Sequence, residues 1–361
     1  MNVRHLAILP GLALLAAAAA TTATAATAAT AAASDEPLVL LGRTNLSAHY
    51  DGDVDHLYAD IAASKLFMAA EDHGTVEVFD LATGRHLRTL GGFSTPHAFF
   101  LVPGTHRLIV TQDGKEGSVV MDDRDYRVLG HIKLEPGADT EYYDASSRHL
   151  FIVTGGGDVH LQHCWLNEID PWTGRLLRRH EFDSDHVEAL AAEQHGNRIF
   201  INIANENTVD VLDKGTLEVI ARWKIEGAAL NLNLALDEAD HRLFVVTRKP
   251  TEMFVLNTDN GRTVASMDVP AVVDGLSFDA ARKRVYVPGA VGEIGVYQEL
   301  DPDHYRELAR VPSALGGKSE LFVPRLSELF VGISPQYNSK HVPGLLRYRV
   351  EPQLARVAAT Q

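Results

Sequence analysis

Ile199-Phe200-Ile201-Asn202-Ile203-Ala204-Asn205-Glu206-Asn207-Thr208-Val209-Asp210-Val211-Leu212-Asp213 reads as two short strands joined by a polar turn. The first run is apolar and β-branched, as expected of a strand covered on both faces. The turn at Asn205-Glu206-Asn207 carries residues that tolerate tight backbone geometry. The same arrangement recurs seven times after residue 50, at a spacing of about 43 residues. A repeat of that period decides the architecture before any single residue does.

The first of the two strands recurs as Lys65-Leu66-Phe67-Met68, Arg107-Leu108-Ile109-Val110, His149-Leu150-Phe151-Ile152, Arg242-Leu243-Phe244-Val245, Arg284-Val285-Tyr286-Val287 and Glu328-Leu329-Phe330-Val331. The strand after it recurs as Thr75 to Phe79, Ser118 to Met121, Leu166 to Ile169, Met253 to Leu256, Ile294 to Tyr297 and Leu345 to Tyr348. Turns built on Asp and Gly follow several of these, as in Asp80-Leu81-Ala82-Thr83-Gly84 and Asp170-Pro171-Trp172-Thr173-Gly174. A more polar strand then ends the unit, such as Arg85 to Leu90 or Leu217 to Lys224; charge on an outer strand blocks edge-to-edge pairing. Four short strands per unit describe a blade. The fold class is therefore all-β, a seven-bladed β-propeller of four-stranded antiparallel blades in a single domain.

The expected organisation is a signal peptide over 1–33, a closing strand segment over 34–50, and the propeller over 51–361. Its blades lie near 51–93, 94–137, 138–184, 185–227, 228–271, 272–316 and 317–361. Leu38 to Asn45 and Gln353 to Ala358 both resemble an outer strand for the seventh blade, and the sequence leaves that choice open.

The opening segment has Arg4 and His5, an apolar run from Leu6 to Ala20, and an Ala/Thr tract ending at Ala33. That is the layout of a secretory signal peptide. It implies a periplasmic or secreted protein with no membrane span after cleavage. The tract is too polar for the roughly 20 apolar residues of a spanning helix. The chain holds 33 Lys and Arg against 48 Asp and Glu, a net charge of −15, so nucleic acid is excluded as a partner. The one cysteine, Cys164, rules out an intramolecular disulfide, and the fold must hold by packing.

The segment 199–213, with Leu234-Ala235-Leu236-Asp237-Glu238 and Leu321-Phe322-Val323-Pro324, resembles the YVTN-type (YncE-like) β-propellers, and the likeness runs over about residues 36–350. The resemblance implies a seven-bladed propeller of an exported bacterial subgroup. It implies no particular activity, because that family has no shared one.

Ligands of propellers sit at the mouth of the central channel, so the blades were registered on their second strands. The residues eleven before the first apolar residue of each second strand are Asp55, His97, Asp139, Glu188, Leu232, Asp274 and Lys318. A ring brings these seven positions around one axis. His56, Glu141, His186, Asn231, Asn233, Ser319 and Glu320 lie close to them in sequence. Asp55, Asp139, Glu188 and Asp274 are candidate oxygen ligands for Ca or Mg. Asp139, Glu141, Glu188, Asp274 and Glu320, with His56, Asn231, Asn233 and Lys318, are candidate ligand-binding groups. His97 and His186 are candidate general bases. The plainer alternative is that the acids cap blade-entry turns and face water.

Blade three carries an insertion, Gly155 to Cys164, expected to cover the mouth. His160, His163 and Cys164 lie too close together for a zinc site. Arg248-Lys249-Pro250 and Lys340-His341 lie in loops of the same face and could grip an anionic group.

Two functions follow as expectations. The first is a monomeric exported binding module recognising a small molecule or envelope protein. The second is a metal-assisted lyase or hydrolase, similar to propeller lactonases and streptogramin lyases. A purely structural envelope role is the third.

Overall fold

The computed structural model describes residues 36–47, 52–338, 340 and 342–352. The expected signal peptide, the strand candidate Gln353 to Ala358 and His341 lie outside the described residues.

Strand pairing divides the chain into seven four-stranded antiparallel sheets. Blades one to six are continuous: 57–91, 96–132, 141–182, 187–224, 229–268 and 277–315. The seventh takes three strands from 317–350 and its outer strand from Leu38–Asn45. That outer strand runs antiparallel to Gly344–Val350, from Leu38 opposite Val350 to Asn45 opposite Gly344. Blade seven is therefore made from both sides of the repeat array. Among the described residues, no helix is long and apolar enough to cross a membrane.

Local chemistry explains why the strands turn where they do. Asp80 Oδ1 accepts the Thr83 N–H at 2.8 Å and the Thr83 hydroxyl at 2.6 Å. Gly84, at φ 72°, then donates its N–H to Asp80 O at 2.8 Å. The side chain caps the turn and Gly takes the left-handed position without strain. Asp170 with Thr173 and Gly174 repeats the device, with a hydroxyl contact of 2.7 Å.

The core is not one mass. Seven apolar clusters occupy the seven junctions between neighbouring blades. The aromatic of a second strand packs against the first strand of the next blade: Phe67 on Phe99 at 5.9 Å, Phe244 on Phe278 at 5.2 Å, Tyr286 on Phe322 at 5.4 Å. Such tilted pairs add to what apolar burial alone contributes. The cluster around Val54, Leu57, Phe330 and Leu345 joins blade seven to blade one and completes the ring.

Phe200, fully buried, sits between blades four and five beside Val211, Leu243 and Val245. Its replacement, Phe200→Ala, should cost about 3–5 kcal/mol in urea unfolding, as expected for a buried aromatic in a packed site. A cost below about 1 kcal/mol would mean the junction collapses around the gap instead of depending on the ring.

Candidate functional site

The mouth groups stand where the chain enters each blade. Asp55 and Asp139 are placed by one backbone device: their N–H groups donate to Ala69 O and to Val153 O, each at 3.0 Å. Anchored to the second strand in this way, both side chains line a cavity of about 310 Å³ at the channel mouth. Its walls carry seven carboxylates against two permanent cations, Arg248 and Lys318.

These charges sort into two groups. On blades one to three, Asp55 Oδ2 accepts from His97 Nδ1 at 2.8 Å, and Asp113 Oδ1 accepts from His97 Nε2 at 3.2 Å. Asp139 Oδ1 is 3.7 Å from the same ring. An imidazole that donates from both nitrogens is an imidazolium. Burial opposes that charge, but the bonds to Asp113 and Asp55 raise the His97 pKa well above its ordinary value. His56 Nδ1 lies 2.9 Å from Asp55 Oδ1, an ion-pair contact outside hydrogen-bond geometry. Burial works against its proton too, yet the Asp55 carboxylate lifts His56 to about 10. Asp55 moves the other way: burial pushes it up, and His56 and His97 hold it well below the carboxylate range.

The remaining acids here lack that compensation. Burial raises Asp139 to about 7, helped by Asp55 and opposed by His97. Burial and then repulsion from Asp55 raise Glu71 to about 8. His186 Nε2 and Glu188 Oε1 pair at 2.5 Å on blade four, and that bond raises the imidazole.

The second group is on blades five to seven. Lys318, only 3% exposed, bonds Asp274 and lies 3.0 Å from Asp53. Burial opposes its charge, but Asp274 and Asp53 more than offset this and raise its pKa. Arg248 reaches Asp274 Oδ1 at 3.2 Å, and Asn233 donates to Asp274 O at 3.1 Å.

The four expected metal ligands therefore do not meet at one point. Among the described residues, the mouth sets whose ligand atoms lie within 4.8 Å are Asp55 with His56 and Asp139, and Asp55 with Glu71 and His97. Glu188 is engaged by His186, and Asp274 by Lys318 and Arg248. His97, pinned as a cation between two carboxylates, is poorly suited to act as a general base.

Asn231 is a correction. It is fully buried and donates to Asn202 Oδ1 and Thr208 O, both at 2.9 Å, tying blade five to blade four. A strand irregularity between Asn231 and Leu234 shifts the register there and turns its amide away from the channel.

Glu141 lies two residues beyond Asp139, outside the mouth cavity, and burial lifts it to about 8 against the pull of His56. Glu320 faces a lower cavity of about 210 Å³ with Ser277, whose hydroxyl donates to it at 2.5 Å; burial raises it to about 8. Ser319 turns to Val54 O at 2.7 Å.

The blade-three insertion forms a single 3-10 turn, Gly157–Val159, and puts Asp158 in the cavity wall. Cys164 is buried in the strand beneath it, His163 packs against Trp165, and no metal set among the described residues includes these side chains or His160.

Sequence reasoning missed two members of a second tier, Glu71 and Asp113, while it had Arg248. Five residues after the first apolar residue of each second strand come Glu71, Asp113, Gly155, Ala204, Arg248, Ala290 and Ser334. The same register, counted forward instead of back, finds Glu71, Asp113 and Arg248.

No protein-family profile matches the chain. Over 147 residues it is 30% identical to the uncharacterized protein YncE of Salmonella typhimurium and 29% identical to that of Salmonella typhi. Each match covers 40% of this chain and 40% of the relative, so the chain spans less than half the length of the curated relatives it matches. Among solved structures, Kuenenia stuttgartiensis hydrazine synthase aligns with a TM-score of 0.66 over 82% of this chain and 97% of that one, at 16% identity. A likeness at that identity speaks to fold alone. Seven four-stranded antiparallel blades in a closed ring make the chain a seven-bladed β-propeller, similar in sequence over part of its length to the YncE proteins.

Proposed function

We propose that the protein is a periplasmic or secreted binding module that takes the cationic group of a small ligand into its channel mouth. The observation that carries this reading is the excess of carboxylates in one cavity: seven, against two permanent cations. A volume of about 310 Å³ is at the small end of ligand sites. Short blade-entry segments hold most of the carboxylates, and backbone bonds such as those of Asp55 and Asp139 pin them to the second strands, which favours a preorganised site.

An ammonium or guanidinium group suits the mouth better than a divalent metal. Each three-residue set there includes an imidazole, and both imidazoles are held as cations. A metal would have to displace those protons before it could bind. Asp139 and Glu71, by contrast, are acids that burial has left short of a positive partner.

Titration calorimetry with methylamine, guanidine, Ca²⁺ and Mg²⁺ tests this order. The organic cations should bind and Asp139→Asn should weaken them about tenfold or more. Heat from neither amine nor guanidine would sink the reading. Affinity should also climb with pH. Asp139 and Glu71 hold protons to about 7 and about 8, and they must release them to face a cation. Binding is therefore weakest below about pH 6 and levels off above about pH 9. A flat profile between those limits would exclude both acids from the site.

A second reading has one specific observation behind it. Carboxyl groups whose pKa lies near neutrality can both give and take a proton, which a lyase or hydrolase needs. A panel of esters and lactones, assayed with and without Mg²⁺, separates the two: turnover lost in Asp139→Asn would favour the enzyme.

A further inference from the structure

The two walls of the mouth differ in charge. On blades one to three, Asp55, Glu71, Asp139 and Asp158 line the cavity and Asp113 takes the far nitrogen of His97, five carboxylates against two imidazoliums, so three go unmatched there when all ionise. On the side of blades five to seven, Asp274 and Asp53, the latter reaching across from the segment that enters blade one, are matched by Lys318 and Arg248. That wall is neutral overall, but its donors are unequally used.

Lys318 is buried and committed to Asp274 and Asp53. Arg248 is different. Its side chain is 41% exposed, and among the described residues its one hydrogen bond runs from a terminal nitrogen to Asp274 at 3.2 Å. A guanidinium has five N–H donors in a fixed fork, so most of this fork remains open to the cavity. Arg248 also stands at a fixed place, opposite Thr251 in the tight turn between the second and third strands of blade five. A planar donor fork on a rigid hairpin is the arrangement that recognises a carboxylate through two parallel bonds.

The cavity thus has a pole for each sign. Resting on the cation-binding reading, we infer that the ligand is a zwitterion, an α-amino acid or a compound of that charge pattern, with its ammonium against Asp139 and Glu71 and its carboxylate on Arg248. Each pole explains what the other leaves over. A simple amine would leave the Arg248 fork unused, and a simple carboxylate would be repelled by the unmatched acids. The small volume favours a free amino acid over a peptide, whose extra residue would have to lie outside the mouth.

Calorimetry on the full-length mature protein, with the twenty common L-amino acids and matching glycyl dipeptides, tests this. The best binder is then compared with two truncated probes, the amine lacking its carboxylate and the acid lacking its amine. The amino acid should bind at least about tenfold more tightly than either. Arg248→Gln, a change at an exposed side chain, should erase the advantage over the amine while the amine itself binds at least as tightly as before, because Asp274 loses one of its two cations. Asp139→Asn should erase the advantage over the acid. If the amine binds as tightly as the amino acid and Arg248→Gln changes nothing, the zwitterion is wrong while the cation-binding site stands. If dipeptides win, the ligand is a peptide and the free amino acid is overturned. If neither amine nor amino acid binds, both readings fall together.

Discussion

The pairing of Leu38–Asn45 with Gly344–Val350 is the contact on which the rest of the molecule depends. Blade stacking alone is one-dimensional: each blade touches two neighbours, and nothing in that contact obliges the last blade to meet the first. Completing blade seven with a strand that leads into blade one turns the stack into a ring. The same junction then builds the site. Val54, fully buried in the closing cluster, donates its N–H to Ser334 Oγ at 3.0 Å and accepts from Ser319 Oγ at 2.7 Å. Those two hydroxyls come from blade seven, and Val54 lies between Asp53 and Asp55. Closure therefore sets which carboxylate goes to which wall: Asp53 to Lys318, and Asp55 to His97.

The electrostatics of the mouth follow from packing many acids into a space that excludes most water. A lone buried carboxylate costs several kcal/mol, so it finds a cation or keeps its proton. Both outcomes occur within one cavity. Asp55 finds His56 and His97 and stays ionised. Asp139 and Glu71 have no equivalent partner and move toward neutrality. Under the proposed reading, a positively charged ligand relieves the cost of keeping those two groups short of a cation.

The sequence made the fold legible because each blade repeats the same apolar strands and the same Asp-to-Gly turns, features set by local physics. The register also carried Asp55, His97, Asp139, Glu188, Asp274 and Lys318 to the channel mouth. It failed where local geometry breaks the alternation of a strand. A register shift between Asn231 and Leu234 sends Asn231 into the junction with blade four, although its neighbour Asn233 reaches the cavity. That Lys318 could neutralise one of the acids was legible, but which acid it pairs with was not. Whether Asp274 faces a metal or Lys318 depends on how far a side chain reaches between blades six and seven, a distance no linear spacing encodes. Arg248 is a middle case: its position on the mouth face was readable, but its open donors were not.

Rigidity decides how much of that charge pattern can become affinity. Asp55, His97, Asp139, Arg248, Asp274 and Lys318 are fixed by strand backbones or by the short segments pinned to them, so little ordering is left to pay on binding. One part of the wall is built otherwise. Gly155 and Gly156 adopt φ of 93° and 101°, and a Cβ on Gly155 would come within 2.4 Å of His163 O. Only glycine permits that path, and it carries Asp158 over the rim toward His186 and Glu188. Strand backbones fix Arg248 and Lys318, and blade-entry segments pinned to second strands fix Asp55 and Asp139. The glycine loop adds Asp158 to the wall from blade three, so substituting its glycines would displace that carboxylate and leave the pairing of Asp274 with Lys318 and Arg248 in place.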